Sequence, residues 1–293
     1  MNKSLTLLDG FMVGGGIVAA GFMLQLSAGP VNWDALTWPA NAIMLAVFIA
    51  IIIAIYMIGR KFVVLHFLGT YKATVPAMIY AIILTLIMGL TKQTTDGTWF
   101  NNMLSFWPMV LTYVYITVIL GVIIINHILH FKWRRDIPFL LNHLGLFIAL
   151  IAATIGNADM QRLKMITTVG EPEWRALTAN NEIRELPIAI ELNKFIMETY
   201  DDGSPKRFAS NINIYTQNGK NFATTVDVNK PVKVDGYKIY QYGYDTNMGP
   251  NSQVSIFELV RDPWLPVVYT GIFMMIAGAA SLFIIGARRR REL

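Results

Sequence analysis

A chain of 293 residues that is 54% hydrophobic and only 15% charged, with mean hydropathy +0.46, has the composition of an integral membrane protein and not of a water-soluble domain. It contains no cysteine, which excludes a disulfide, a thiol nucleophile, a CxxC redox pair and a thioether-linked prosthetic group on this chain. Its net charge of +5 is no nucleic-acid signal by itself, because membrane proteins gather Lys and Arg on one side.

The opening MNKSLTLLDGF lacks the cleavage pattern of a secretory signal, so the first apolar segment is expected to be retained. Six segments are long and apolar enough to span, at about residues 11–26, 40–58, 75–90, 104–129, 137–155 and 264–285. The first carries Gly14, Gly15, Gly16 and Gly21, which let it approach a neighbour closely. The third has Pro76 in its first turn, where proline is tolerated. Within these bounds the spans hold no Asp, Glu, Lys or Arg, which argues against an ion-coupled transporter or a carboxylate proton relay.

The connections set an expected orientation. Lys3 precedes the first span; Arg60, Lys61 and Lys72 lie between spans two and three; Lys132, Arg134 and Arg135 lie between four and five; Arg288, Arg289, Arg290 and Arg291 follow the sixth. The alternate loops are poor in cations: residues 28–39 have none and residues 91–103 only Lys92. Both termini are therefore expected in the cytoplasm. Trp33, Trp38, Trp99, Trp107 and Trp264 fit an aromatic belt at the opposite interface, or a substrate-handling surface.

Composition turns polar at about Ala158, and residues 158–262 read as one small antiparallel β domain outside the cytoplasm. Alternation marks strands at 186–192, 211–215, 222–228, 232–244 and 254–259. Asp202-Gly203-Ser204-Pro205, Asn218-Gly219, Asp235-Gly236 and Met248-Gly249-Pro250 mark the turns between them. The expected fold is thus an integral membrane α-helical bundle of six spans, with one β-rich extracytoplasmic domain inserted between spans five and six. Its parts are a five-helix region at 1–157, the β domain at 158–262, and a final helix with a basic cytoplasmic tail at 263–293.

Four histidines, His66, His127, His130 and His143, carry what chemistry the spans offer. His143 lies within a hydrocarbon-length helix, where an imidazole needs partners for both nitrogens. It marks a functional site or a helix-packing hydrogen bond. His127 and His130 share a face at the inner end of span four. His127 should lie at a depth comparable with His143, and two facing imidazoles can ligate a metal or haem; the alternative for His127 and His130 is interfacial capping of a helix C-terminus. His66, in a short basic loop, reads as solvated. Small residues near His143 (Gly145, Ala149, Ala152, Ala153) leave room for a flat porphyrin or for close helix packing, with Ala149, Ala153 and Gly156 near one stripe. No Walker loop, GxGxxG, GxSxG or HExxH occurs, and Asp201, Asp202 and Asp245 sit in turn contexts.

Two stretches resemble the ResB (CcsB) family of system II cytochrome c biogenesis: NHLGLFIALIAATIGNADMQR, leading into the outer domain, and VDGYKIYQYGYDTNMGPNSQVSIFELVRDPWLPVVYTGIFMMIAG, leading into the last span. Many family members have three helices before the outer domain, where five are expected here. The resemblance implies a subunit that acts with a CcsA-type membrane protein to carry haem outward. That haem is presented in the periplasm for attachment to the CxxCH motif of an apocytochrome c. It implies a bacterial inner-membrane location and a non-covalent, transient haem b whose iron ligand on this chain is His143, with His127 a lesser candidate. No residue here is expected to be catalytic; heme attachment would be an activity of the complex. A WGxxWxWD-like run is absent, which implies that CcsA is a separate chain. Two other readings stand beside this one: a scaffold subunit without cofactor, and a bis-His haem redox subunit using His127 with His143.

Overall fold

The structure, a computed structural model, describes residues 5–59, 62, 66–94 and 97–291. Of the basic residues used above for orientation, Lys3, Arg60 and Lys61 lie outside these, as do the side chains of Arg134, Arg135 and Arg288 to Arg291. Two compact units are present, Met1–Ala158 with Trp264–Leu293, and Asp159–Pro263.

The first unit is helical: α1 (Leu7–Ala28), α2 (Ala40–Gly59), α3 (Tyr71–Leu90), α4 (Trp107–Leu129), α5 (Trp133–Gly156) and α6 (Leu265–Arg291). Among the described residues these six helices are long and apolar enough to cross a membrane. Large apolar side chains such as Leu26, Leu90 and Phe283 stand exposed on them. In water such patches drive association; on the helices of a multi-pass membrane protein they are the lipid-facing surface.

Several helices begin a turn earlier than their apolar runs, because polar groups close their first turns. In α1, Thr6 and Asp9 form a reciprocal capping box. In α3, Lys72 Nζ donates to the Leu5 carbonyl at 2.8 Å. In α5, the buried Asp136 carboxylate accepts from the Lys132 amide at 2.7 Å. Asp9 and Asp136 thus satisfy orphan backbone donors in first turns, where an anion also meets the dipole favourably, while Lys72 is held by the Leu5 carbonyl before the first helix.

Helix α4 is the centre of this unit, packed against α1, α2, α3 and α5. Glycines of α1 make the closest approaches. A side chain at Gly21 would run into the Pro108 backbone at 2.5 Å, one at Gly14 into the Tyr80 ring at 2.6 Å, and one at Gly10 into the Lys72 carbonyl, whereas Gly16 meets nothing. The loops after α1 and before α4 meet: Val31 N–H donates to Ser105 O at 2.8 Å, and the Trp107 indole to Gly29 O at 3.0 Å. Trp99 packs with Phe22, Phe100 and Phe106 in one aromatic cluster.

The second unit, between α5 and α6 in chain order, is a single eight-stranded sheet: β1 (Gln161–Thr168), β2 (Pro172–Leu177), β3 (Ile183–Thr199), β4 (Pro205–Thr216), β5 (Phe222–Asp227), β6 (Val232–Val234), β7 (Tyr237–Tyr244) and β8 (Val254–Arg261). Its spatial order is β5-β4-β3-β2-β1-β8-β7-β6, antiparallel throughout. The sheet folds over itself, as Ser210 of β4 bonds Gln241 of β7 and Ser255 of β8, each at 2.7 Å. The core between the layers follows from alternation: on β3 Leu186, Ile188, Ile190 and Leu192 are buried, with Ile190 opposite Ile214 and Leu192 opposite Ile212. Leu163 and Met165 of β1 face Leu259 and Phe257 of β8. Each such fully buried side chain contributes about 1.5–3 kcal/mol. The Asp235-Gly236 turn between β6 and β7 has both residues at positive φ, 44° and 84°, the geometry of a two-residue hairpin turn.

Candidate functional site

Two of the four histidines lie at the end of α4, His143 lies within α5, and His66 lies in the connection between α2 and α3. His143 is ten residues into α5, about 15 Å along its axis, and half-buried. Its Nδ1 lies 2.9 Å from the Phe139 carbonyl one turn back. His127, near the end of α4, places Nδ1 3.0 Å from the Ile123 carbonyl. His130, the α4 C-cap, does the same with the Asn126 carbonyl at 2.9 Å. A carbonyl oxygen only accepts, so each Nδ1 carries the hydrogen. In the neutral ring that leaves Nε2 as a lone pair aimed away from its own helix. This pattern, one ring nitrogen held by a carbonyl and the other open, also orients metal-ligating histidines.

Helices α4 and α5 bring His127 and His143 into one stack, with Phe139 between them. The His127 and Phe139 rings have centroids 3.8 Å apart at 19°, and the Phe139 and His143 rings 3.7 Å apart at 17°. The two imidazoles are at matched depth, but they do not face each other across open space. An imidazole bonds iron through a lone pair in its ring plane, and two near-parallel rings separated by a benzene ring cannot both direct theirs at one iron. His127 and His143 together therefore do not make a bis-His site in this arrangement. Among the described residues, no group of three or more His, Cys, Asp or Glu is placed to hold a metal ion. His143 keeps its Nε2 off its own helix as a single lone-pair donor.

The small residues beside His143 are used by α6. A side chain added at Gly145 would strike the Gly271 carbonyl at 2.6 Å, and one at Gly271 would strike the Gly145 carbonyl at 2.5 Å and Ala149 beyond it. Gly156 lies against Trp264, and Gly278 against Asn142. Of the expected stripe, Ala149 and Gly156 face α6, while Ala153 is exposed and Ala152 takes the buried position. A porphyrin has no room there, and any planar ligand of His143 must approach over another face, such as that of the exposed Leu146.

His66 and His130 are exposed, and with His127 they line a cavity at the ends of α2 and α4. Sequence reasoning gave no hint of that gathering, nor of the Phe139 spacer. It also passed over Gln25, a buried amide in α1 that takes the Trp107 N–H at 3.0 Å and donates to the Thr98 carbonyl. A lone amide in an apolar run is the signal that could have found it.

Residues 134–253, from the start of α5 to the entry of β8, match the ResB-like family. The chain is 35% identical over 100 residues to the cytochrome c biogenesis protein CcsB of Prochlorococcus marinus subsp. pastoris, covering 34% of this chain and 22% of that protein. It is 29% identical over 102 residues to CcsB of Prochlorococcus marinus strain NATL1A, covering 35% and 23%. The chain thus spans less than a quarter of the length of the curated relatives it matches. A solved structure of the cytochrome c heme lyase CcmF aligns over 83% of this chain and 45% of that one, at TM-score 0.36 and 14% identity, too distant to bear on fold or function.

Proposed function

We propose, from the match of residues 134–253 to the ResB-like family and the similarity to CcsB proteins, that this chain is a CcsB-like subunit of a system II cytochrome c synthase. In this reading it works with a CcsA-type membrane protein to move haem across the bacterial inner membrane. The haem is then presented for covalent attachment to the CxxCH motif of apocytochrome c. The β unit is periplasmic and both termini are cytoplasmic; the helical and β parts are the membrane and outer domains, near the boundaries expected at 157, 158 and 262.

The observation that carries the reading is the state of His143. Its Nδ1–H is held by the Phe139 carbonyl and its ring is stacked on Phe139. Both constraints fix the direction in which Nε2 offers its lone pair. Haem b, as cargo, supplies an iron that takes such a nitrogen as an axial ligand. This chain's part is to hold that imidazole in one tautomer and one orientation within the inner half of the membrane. His127, whose ring shares the stack from the other side, is the lesser candidate ligand. Since Phe139 separates the two imidazoles, His127 and His143 would not hold one iron together, and any further ligand would come from elsewhere in the complex.

The test is the visible spectrum of the purified full chain, alone and with its CcsA partner. A Soret band in the pair that falls in His143→Ala, and partly returns with added imidazole, is the expected result. A wild-type haem content and spectrum in His143→Ala would remove the assignment. A band without CcsA points to a self-contained redox subunit, and no band in either preparation points to a scaffold.

A further inference from the structure

The stack of His127, Phe139 and His143 gives His127 a task other than ligation. Phe139 and His143 are four residues apart on α5, so their rings meet through the helix itself. The third ring comes from α4, and nothing in α5 requires a planar group there. Its Nδ1–H is held at 3.0 Å by the Ile123 carbonyl, so the imidazole is fixed to its own helix before it meets the phenyl ring. The planes run nearly parallel, at 19° and 17°, with centroids 3.8 and 3.7 Å apart. Two rings that close to the same centroid must lie on opposite faces of Phe139, so each face of the phenyl ring is covered by an imidazole. A ring covered on both faces turns only in its own plane. With one face open it can tilt, at the cost of a single stacking contact.

We propose that His127 is a positioning residue: a flat ring fixed to α4 that keeps Phe139 from tilting, and through Phe139 sets the plane in which His143 offers Nε2. The role rests on the reading of His143 as an iron ligand. The lone pair of an imidazole lies in the ring plane, so a tilt of His143 swings its bonding direction by the same angle. A ligand role for His127 would need a nitrogen at that position, whereas a positioning role needs only a flat face. Phenylalanine keeps the face and has no nitrogen. Leucine is apolar and suits a helix in lipid, but it has no flat face and leaves Phe139 free to lean toward α4.

The experiment compares His127→Phe and His127→Leu in the full chain, with His143→Ala as the reference. In the haem-free chain in detergent, NMR of isotope-labelled histidine reports on the His143 ring directly. One sharp Nδ1–H resonance is expected in wild type and in His127→Phe, and a broadened or split one in His127→Leu. In the complex with CcsA, haem retained should fall roughly 2- to 12-fold in His127→Leu, the scale of one aromatic contact. It should return to near the wild-type level in His127→Phe. A loss in His127→Phe as large as in His143→Ala would make His127 a ligand and overturn the proposal. A His143 resonance unchanged in His127→Leu would overturn it as well. Haem content indifferent to all three substitutions, beside a resonance that responds to His127→Leu, would remove the ligand reading of His143 and uphold the positioning of its ring.

Discussion

Phe139 lies flat against His143, ring centroids 3.7 Å apart, while the carbonyl of the same residue holds His143 Nδ1 at 2.9 Å. One residue thus constrains the imidazole by both its ring and its backbone. Only the ring contribution is open to mutation. A stacked aromatic pair is worth about 0.5–1.5 kcal/mol, so Phe139→Ala should lower haem retained by the complex roughly 2- to 12-fold. It should also broaden the Soret band, because the imidazole samples more orientations. Phe139→Tyr keeps the stack and should restore both. Wild-type content and band shape in Phe139→Ala would show that the ring does not orient His143.

The α5–α6 contact rests on glycine more than on hydrophobic matching. With the Gly145 and Gly271 carbonyls each within 2.5–2.6 Å of where the other's side chain would begin, Gly145→Val or Gly271→Val must push the helices apart. Overpacking of this kind costs about 1–3 kcal/mol, and thermal unfolding in detergent should show the loss. A side chain at Gly278 would likewise meet the Asn142 amide and its backbone nitrogen at 2.4–2.9 Å, so Gly278→Ala should also lower the unfolding temperature, and an unchanged temperature would contradict the packing of Gly278 on Asn142.

The acid response of the β unit follows from Arg207. Its guanidinium meets Glu198 at 2.7 Å and Asp227 at 2.8 Å, tying β3, β4 and β5 together. The hydrogen bond from Arg207 holds the Asp227 carboxyl below the usual carboxylate range. Bonds from Tyr215, then Asn213, do the same for Glu191. A folded-state pKa below the unfolded value gives stabilisation that is complete above about pH 4 and fades as pH falls through the folded value. Hydrogen exchange of β3–β5 peptides in the full chain should therefore accelerate as pH is lowered below about 4, after correction for intrinsic rates. Arg207→Met should abolish the part of that pH dependence that comes from Asp227, keep the part from Glu191, and leave β1 and β8 peptides unaffected. Arg207 is well exposed, so the effect at neutral pH should be small.

Much of this architecture is legible in the residues, for identifiable reasons. Unbroken apolar runs announce the helices, and alternation announces β3, β4, β5, β7 and β8. Strand β1 escapes the alternation rule because Thr167 is buried while Ile166 is half exposed. Strand β2 escapes because its pairing slips between Glu173 and Arg175. The matched depth of His127 and His143 follows from counting turns. The ring between them does not, because Phe139 reaches His127 only through the way α4 and α5 lie together. Likewise, Ala153 shares spacing with Ala149 and Gly156, yet only the packing of α6 decides which small residues are covered.

Gln25 supplies the last prediction, since it does for α4 what a capping residue does in most helices. The α4 N-cap is Phe106, which has no side-chain acceptor, and the freed Trp107 N–H goes to Gln25 Oε1 at 3.0 Å instead. The other end of the same amide satisfies the Thr98 carbonyl, and the whole group is 4% exposed. Gln25→Leu is close in size and better suited to lipid, so hydropathy alone favours it. The structure demands the opposite outcome. Leucine leaves one donor and one acceptor unpaired, at about 1–3 kcal/mol each. A lower unfolding temperature in detergent, with faster exchange at the start of α4, is the expected result. A Gln25→Leu chain as stable as wild type would mean that water or lipid headgroups take over both bonds, and that Val31 on Ser105, Trp107 on Gly29 and Gly21 against Pro108 suffice to hold the α1–α4 loops.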